Sequence, residues 1–203
     1  MNVCVYCSAK DAIGEDYKAL GRKMGRWIAE KGHTLVFGGA TGGLMTEVSR
    51  TAYEAGAPVV GVVPGRILAT GRRSPWCTET IEVEHMNARK QKMKELADCF
   101  VCLPGSYGTL DEMFDVVAAG TVGEHRKPLY VLNHNGFYAP LMEEIALMKQ
   151  ERFIPTEEHY TPHFADSEEE LYSLLTSHCN KLERQRIAKE QREAAMLKKQ
   201  NNP

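Results

Sequence analysis

The chain contains no run of about 18 consecutive apolar residues, the length that a bilayer-spanning helix needs. Its first residues, Met1 to Cys7, lack the basic segment and the cleavage site of a signal peptide, which predicts a cytoplasmic protein. Basic and acidic residues nearly balance, and the formal net charge of -2 argues against a general nucleic-acid or membrane-surface binder. In the cytoplasm the six cysteines are expected to be reduced thiols.

The sequence also lacks the common nucleotide-binding motifs. It has no G-x-x-x-x-G-K-[ST] segment, which excludes a P-loop NTPase. The first predicted strand is followed by Ser8-Ala9-Lys10-Asp11 rather than G-x-G-x-x-G, which argues against an ordinary dinucleotide site. Pro104 stands where a G-x-S-x-G nucleophile elbow has its first glycine, so Ser106 is not predicted to be a hydrolase nucleophile.

Two C-x-x-C spacings, Cys4/Cys7 and Cys99/Cys102, raise the question of a zinc site. Both pairs lie in short apolar runs that are typical of buried strands. Residues i and i+3 of a strand point to opposite faces, so neither pair is suited to hold one metal ion. The sequence therefore predicts small buried side chains at these cysteines and no bound metal.

Short β-type segments alternate with helical patterns along most of the chain. Several strands, such as Val59 to Val63, are apolar at consecutive positions, which indicates strands covered on both faces. The expected fold class is α/β, a Rossmann-like doubly wound parallel sheet in a single domain. The predicted strands are Asn2–Cys7, Thr34–Phe37, Pro58–Val63, Thr80–Val83, Cys99–Leu103 and Pro128–Leu132. The predicted helices are Tyr17–Glu30, Leu44–Glu54, Ala88–Leu96, Leu110–Ala119 and Tyr138–Lys149.

Two segments depart from this alternation. Pro64 to Pro75 is a polar loop rich in Gly and Pro, and its arginines make it a candidate to close over a ligand. From about Leu182 the chain is rich in charge, which predicts a solvated helix that frays into a disordered end, with a partner-binding helix as the alternative. We therefore assign residues 1–179 to one Rossmann-like domain and 180–203 to a charged tail that is helical or disordered.

Two glycine-rich turns follow predicted strands and lead into helices: Gly38 to Met45 and Pro104 to Glu112. Such turns let backbone N–H groups approach a ligand, and a helix N-terminus adds partial positive charge. Ligands of open α/β sheets gather at the carboxyl ends of the strands, so both turns are predicted to serve one phosphate pocket. The simpler interpretation is that the glycines only make tight turns.

Two helix starts carry charged side chains of special interest. In His85 to Met93, Asn87 is the predicted N-cap, and the basic pair Arg89 and Lys90 in the first turn favours an anionic partner, with solvated surface charge as the alternative. Thr109 and Glu112 fit a capping box, T-x-x-E, with Thr109 as N-cap. A carboxylate in that turn would also face the mouth of a phosphate pocket, so the two roles for Glu112 are compatible.

Taken in order, these motifs match a known pattern: Cys4 to Ser8, Gly38 to Met45, Met86 to Met93, Pro104 to Glu112, Gly123 to Pro128 and Asn133 to Tyr138. From about Val3 to Leu175 the chain resembles the LOG ("Lonely guy") family, cytokinin riboside 5′-monophosphate phosphoribohydrolases that often carry a lysine decarboxylase label. The Arg-Lys helix start followed by P-G-x-x-G-T-x-x-E is its most specific feature. The sequence shows no convincing PLP-lysine motif for a decarboxylase.

The resemblance implies hydrolysis of the N-glycosidic bond of a purine nucleoside 5′-monophosphate, N6-modified adenine nucleotides included, by a cytoplasmic homodimer or a multiple of one. It implies no metal and no organic cofactor. Arg89 and Glu112 are the implied catalytic residues, and Arg89 is expected to favour the ionised form of Glu112. The implied substrate-binding residues are Ser8, Gly39, Thr41, Gly42, Gly43, Met86, Lys90, Gly105, Ser106, Tyr107, Gly108 and Thr109.

The chain departs from the family pattern at several positions around this pocket. Ala40 and Ser106 replace glycines, Asn87 replaces a histidine, and the early C-G-S is reduced to Cys7-Ser8. These departures leave base and sugar specificity open. They also keep an alternative function in view, a non-catalytic carrier or sensor that uses the same pocket for a nucleotide or a phosphorylated cofactor.

Overall fold

A computed structural model describes residues 1–155 and 160–200 of the chain. Within these residues the strands form a seven-stranded sheet in which every pairing is parallel. The strands are β1 (Asn2–Tyr6), β2 (Thr34–Phe37), β3 (Val59–Pro64), β4 (Glu79–Val83), β5 (Cys99–Cys102), β6 (Leu129–Leu132) and β7 (His163–Ala165).

Helices connect the strands and cover both faces of the sheet. They are α1 (Glu15–Glu30), α2 (Gly43–Glu54), α3 (Gly65–Leu68), α4 (Met86–Leu96), α5 (Tyr107–Thr121), α6 (Ala139–Gln150) and α7 (Glu168–Gln200). A 3₁₀ turn, His134–Gly136, precedes α6. No helix in the described part of the chain is long and apolar enough to span a membrane.

The strand order is β4-β3-β2-β1-β5-β6-β7, so the chain reverses its direction of sheet growth between β1 and β5. In open α/β sheets this switch point opens a crevice at the carboxyl ends of the two strands. The crevice here is bordered by Ser8, which follows β1, and by Pro104 and Gly105, which follow β5. The predicted fold class, a Rossmann-like doubly wound parallel sheet in a single domain, is confirmed.

The two faces of the sheet pack into separate hydrophobic cores. One core contains side chains of α1, α2 and α7, and the other contains side chains of α4, α5 and α6. Cys7 and Cys99 belong to the first core, whereas Cys4 and Cys102 belong to the second. The members of each C-x-x-C pair therefore lie on opposite sides of the sheet, as the strand geometry predicts.

These cysteines are free thiols in a dry environment. Burial raises the pKa of the Cys4 and Cys7 thiols well above their ordinary value, and it raises the pKa of Cys99 and Cys102 to about 12. Each side chain is at most 2% exposed. The thiols are thus protonated and act as small apolar residues in the two cores.

The predicted strands and helices are present, with shifts of a few residues at their ends, but some elements were not predicted. The edge strand β7 is only three residues long, and α3 is a single turn inside the Pro64–Pro75 loop. Segments this short carry no detectable hydrophobic period. Helix α7 begins at Glu168, well before Leu182, because Leu171 and Leu175 pack on the sheet.

Helix α7 continues through position 180, where the sequence places the start of the charged tail. From Glu183 onward the side chains that the structure describes are exposed. The final part of the predicted tail, residues 201–203, lies outside the described residues.

Helices α1 and α2 approach each other closely through glycines of α1. A Cβ atom at Gly25 would lie 2.5 Å from the Val48 carbonyl oxygen and 2.9 Å from the Ala52 nitrogen. At Gly21 a Cβ atom would lie 3.2 Å from the Leu44 carbonyl oxygen. The absence of side chains at these positions therefore sets the distance between the helices, and with it the position of the turn that begins α2.

We expect Gly25→Val to lower the free energy of unfolding by roughly 1–3 kcal/mol, the usual cost of overpacking, because the added methyl groups meet backbone atoms of α2. Arg26→Val is the matched control, since it introduces the same side chain at an exposed position of the same helix. Urea denaturation of both variants measures the difference. Equal losses in the two variants would contradict the proposed helix contact.

Candidate active site

A buried ion pair joins α4 and α5 below the carboxyl edge of the sheet. The Nη1 atom of Arg89 lies 2.8 Å from Oε1 of Glu112. The two residues are only 5% and 3% exposed. No N–H group within the described chain is aligned to donate a hydrogen bond to this oxygen, so the contact is electrostatic rather than a hydrogen bond. The two residues that the resemblance names as catalytic are thus brought together.

The guanidinium of Arg89 is held by backbone on its other side. Its Nε donates a hydrogen bond to the Val62 carbonyl oxygen at the end of β3, over 3.2 Å. A Cβ atom at Gly38 would lie 1.7 Å from Nη2, so any side chain there would displace the arginine. Gly38 is therefore a site residue for a steric reason, and it was not among the predicted site residues.

Glu112 is far less acidic than an ordinary glutamate. Burial raises its pKa to about 7, although Arg89 lowers the pKa, and the smaller effects of Asp111 and Lys90 raise and lower it. Arg89 does favour the ionised form of Glu112, as expected, but desolvation outweighs the ion pair and sets the pKa above that of an ordinary glutamate. Near neutral pH the carboxyl group is poised between its two protonation states, as is common for groups that take part in catalysis.

The predicted capping box at Thr109 and Glu112 is not formed. Helix α5 begins at Tyr107 with Ser106 at the N-cap, and Ser106 makes no side-chain cap. Thr109 is thus inside the first turn, where its side chain covers Gly105, and a Cβ atom there would lie 2.1 Å from Thr109 Oγ1. Glu112 faces the sheet instead of its own helix terminus. Because α5 begins before Thr109, Glu112 is not part of a helix cap.

The N-terminus of α5 presents open backbone donors. Within residues 1–155 and 160–200, no acceptor is found for the N–H groups of Ser106, Tyr107, Gly108 and Thr109. The first turn of a helix leaves such donors unpaired and adds partial positive charge, which favours a phosphate. This second glycine turn therefore has the donors that a phosphate group would need.

The first glycine turn uses its donors within the protein. Thr41 donates to the Arg72 carbonyl oxygen over 2.8 Å, and Gly42 donates to Thr46 Oγ1 over 2.7 Å. The Gly43 N–H, at the start of α2, donates to the Asp11 carboxylate over 2.9 Å. The Asp11 carboxylate thus already occupies the position at the N-terminus of α2 where an anionic ligand would bind. The positive φ angles of Gly39 (66°) and Gly42 (117°) show that this turn needs glycine for its shape.

A cavity of about 210 Å³ occupies the switch point between the two turns. Its polar lining includes Ser8, Lys10 and Ser106, and its apolar wall is formed by Ile13, Tyr17, Leu44, Pro104 and Phe137, with Gly105 between them. The resemblance named Ser8, Gly105 and Ser106. It missed Lys10, Tyr17 and Phe137, since Lys10 follows the first strand in a segment without a motif and Tyr17 is part of an ordinary amphipathic helix.

Met86 and Lys90, two further predicted substrate-binding residues, lie apart from this cavity. Met86 begins α4 and is 44% exposed beside a separate cavity of about 440 Å³ that Pro64, Arg66 and His85 also line. His85 caps α4, with Nδ1 accepting from the Ala88 N–H over 3.1 Å. Asn87, the predicted N-cap, is instead inside the helix. The Lys90 ammonium is directed toward aspartates of α5.

The Pro64–Pro75 loop is anchored on the first glycine turn. Ser74 donates its N–H to the Gly39 carbonyl oxygen over 2.8 Å, and Ala40 and Arg73 form an antiparallel bridge. The Arg72 guanidinium donates to the Thr41 carbonyl oxygen over 3.1 Å. The base of the loop is therefore fixed to the first glycine turn, and any closing movement would have to come from the segment around α3.

A larger cavity of about 480 Å³ lies near the amino ends of β6 and β7, lined in part by Tyr130, His163 and His178. It contains neither Arg89 nor Glu112 and no residue of either glycine turn. Within the described residues, no group of three His, Cys, Asp or Glu side chains converges as a metal site. The chemistry is therefore assigned to the carboxyl edge of the sheet.

The family model described as possible lysine decarboxylase matches residues 45–175. The chain is 39% identical over 154 residues to the cytokinin riboside 5′-monophosphate phosphoribohydrolase of Rhodococcoides fascians, covering 75% of this chain and 78% of that protein. It is 36% identical over 152 residues to the cytokinin riboside 5′-monophosphate phosphoribohydrolase LOG of Oryza sativa subsp. japonica, covering 75% of this chain and 63% of that protein.

Solved structures share the architecture. The molybdenum cofactor carrier protein of Chlamydomonas reinhardtii superimposes with a TM-score of 0.67 at 21% identity, covering 88% of this chain and 98% of that chain. At this level of identity the likeness establishes the fold alone, since one fold hosts many functions.

We expect the stability difference between wild type and Glu112→Gln to depend on pH. The folded-state pKa of about 7 lies above the value of 4.5 for an unperturbed glutamate, so only the folded state holds the proton between these values. The stabilisation from protonated Glu112 is complete below pH 4.5 and is lost as pH rises through 7. The wild type should lose up to about 3 kcal/mol relative to the variant between pH 5 and 8.

Urea denaturation at pH 5, 6, 7 and 8 measures this difference. Glu144→Gln, the same substitution at an exposed position of α6, should follow the wild type at every pH. Parallel wild-type and Glu112→Gln curves would show that Glu112 titrates as an ordinary glutamate.

Proposed function

The chain belongs to the LOG family, and we propose that it is a hydrolase that cleaves the N-glycosidic bond of a purine nucleoside 5′-monophosphate. The products are the free base and ribose 5-phosphate. The observation that carries this proposal is the buried Arg89–Glu112 pair, in which Glu112 lies on α5, the helix whose open N-terminal donors face the switch-point crevice. Helix α5 thus provides both the backbone donors for a phosphate and the Glu112 carboxyl group, whose pKa is raised.

The 5′-phosphate binds to the N–H groups of the α5 N-terminus, from Ser106 to Thr109. Their partial positive charge and their lack of other acceptors support this placement. Ser8 and Lys10 lie across the same cavity and add a hydroxyl group and a positive charge. The first glycine turn is less suited to a phosphate, because the N–H groups of Thr41, Gly42 and Gly43 are already paired within the protein.

Cleavage of the glycosidic bond leaves positive charge on the ribose, as in other glycoside hydrolyses. The electron pair of the bond from C1′ to the base nitrogen goes to the base, which takes up a proton, while a water oxygen bonds to C1′ and loses one. The ionised form of Glu112 stabilises the positive charge or accepts the proton of the water. Arg89 orients Glu112 and holds a phosphate oxygen or ribose hydroxyl.

The base is an adenine, with or without an N6 substituent. Support comes from the relatives named as cytokinin riboside 5′-monophosphate phosphoribohydrolases. Ser106 departs from the family pattern in the lining of the cavity, Ala40 does so in the first glycine turn, and Asn87 does so beside the neighbouring cavity. Cytokinin nucleotides are therefore one substrate class to test beside AMP.

A non-catalytic carrier of a nucleotide or phosphorylated cofactor is the second candidate function. Its support is the set of open donors at the N-terminus of α5, together with the departures from the family pattern at Ala40 and Ser106. A carrier needs the phosphate donors of α5 but has no need of a buried carboxyl group with a pKa of about 7. For that reason hydrolysis is the favoured function.

We expect wild-type protein to release free base from AMP or isopentenyl-AMP, and Glu112→Gln to release it at least about 100-fold more slowly, the usual scale for loss of a general acid or base. Chromatography of the products measures both rates, and their ratio for the two substrates reports base preference. Glu144→Gln is the matched control. Folded wild-type protein that binds nucleotide but releases no base would favour the carrier function.

The protein is further proposed to be a cytoplasmic homodimer or a multiple of one. All six cysteines are free thiols, which fits a reducing compartment. Along α5 and its C-cap residue Val122 an exposed apolar stripe, Tyr107, Phe114 and Val122, is 91%, 41% and 74% exposed. Large exposed apolar residues spaced by about two helical turns on one face are typical of a subunit contact.

Light scattering should give a mass of twice 22.7 kDa, or a multiple of that value. We expect Phe114→Glu to shift it toward the monomer, because a charge in an apolar contact loses its hydration. Phe153→Glu is the control, since Phe153 is 83% exposed at the end of α6 and outside the stripe. A dimer that survives Phe114→Glu would exclude the α5 stripe as the contact.

A further inference from the structure

A second ion pair lies beside the catalytic pair and connects the same two helices. Lys90, which follows Arg89, places its Nζ atom 2.8 Å from Oδ1 of Asp111, which precedes Glu112. Two consecutive residues of α4 are thus matched with two consecutive residues of α5. The Arg89–Glu112 pair is buried, whereas in the outer pair the Lys90 side chain is 13% exposed and that of Asp111 is 54% exposed.

The network continues along the helices, away from the site. Lys90 also lies 3.6 Å from Oδ1 of Asp115, and Lys94 lies 2.7 Å from Oδ2 of the same residue. Lys90 is therefore held between two carboxylates of α5. An ammonium group with two anionic partners is poorly placed to leave them for a phosphate at the N-terminus of α5.

We propose that Lys90 and Asp111 are positioning residues that hold Arg89 and Glu112 in register and balance the charge beside Glu112. This assignment differs from direct substrate binding by Lys90, which the family resemblance implies. The consequence for catalysis depends on the hydrolase function proposed above, whereas the effect on Glu112 itself does not.

The charge balance follows from opposite effects on one carboxyl group. Asp111 raises the pKa of Glu112, and Lys90 lowers it. Removal of one partner leaves the other uncompensated next to Glu112. Titratable groups on four elements interact electrostatically with Glu112. The charged ones are Arg89 and Lys90 on α4 and Asp111 on α5. The others are Cys4, Tyr6 and Cys7 from the β1 segment and Cys102 on β5. The thiols and Tyr6 remain neutral because burial raises the pKa of each.

Three variants test the balance. Lys90→Met should raise the pKa of Glu112, because Asp111 then acts alone. Asp111→Asn should lower it, because Lys90 then acts alone. The double variant should return it close to the wild-type value. A purely structural role for Lys90 would not produce shifts of opposite sign that cancel.

The direct measurement is a carbon-13 NMR titration of the glutamate side-chain carboxyl groups, with the Glu112 signal identified by its absence in Glu112→Gln. Lys94→Met is the matched control, because Lys94 pairs with Asp115 and not with Asp111. It should leave the Glu112 titration where it is in the wild type. Shifts of the same sign in Lys90→Met and Asp111→Asn, or no shift in either, would overturn the proposal.

A binding and kinetic measurement separates positioning from substrate contact. With positioning, Lys90→Met keeps its affinity for ribose 5-phosphate and its KM for AMP within about threefold of wild type, and the rise of kcat with pH moves to higher pH. Loss of affinity by tenfold or more with an unshifted Glu112 titration would identify Lys90 as a substrate ligand and overturn the proposal. Because the NMR titration needs no turnover, a failure of the hydrolase proposal would appear separately, as absent base release.

Discussion

The structure depends on the burial of one guanidinium–carboxylate pair, Arg89 and Glu112. Removing two charges from water is costly, and their mutual attraction offsets that cost only with good geometry and further partners. Here Arg89 has a backbone acceptor at Val62 and a steric limit at Gly38. Burial raises the pKa of Glu112 to about 7, although Arg89 lowers it. The pair is thus well held on the arginine side and poised to titrate on the glutamate side.

The two glycine turns serve this pair in different ways. In the turn after β2, the N–H groups of Thr41, Gly42 and Gly43 are paired with Arg72, Thr46 and Asp11, and Gly38 leaves room for the Arg89 guanidinium. The turn after β5 leaves the first donors of α5 open. The two glycine-rich segments therefore have different roles. The first shapes the site around Arg89, and the second offers hydrogen bonds to an anion.

Much of the architecture could be predicted because periodicity and turn composition are local properties. The apolar strand Val59 to Val63 and the helix from Ala88 to Leu96 were expected within a few residues of their true ends. Helix starts were less predictable. His85 caps α4 in place of Asn87, and α5 begins ahead of Thr109, because each terminus is set by how the preceding turn meets the sheet. The short edge strand β7 carried no local pattern at all.

By itself the sequence determined the parallel sheet, the opposite-facing cysteines and, through its motifs, the candidates Arg89 and Glu112. These follow from side-chain periodicity and from residues that recur at fixed spacing. Only the tertiary structure decided that burial outweighs Arg89 in setting the pKa of Glu112, that Asp11 occupies the first turn, and that Lys90 pairs with Asp111. Desolvation and ion pairing depend on which segments lie close together in the fold. Contacts between residues that are distant in sequence are therefore known only from the folded structure.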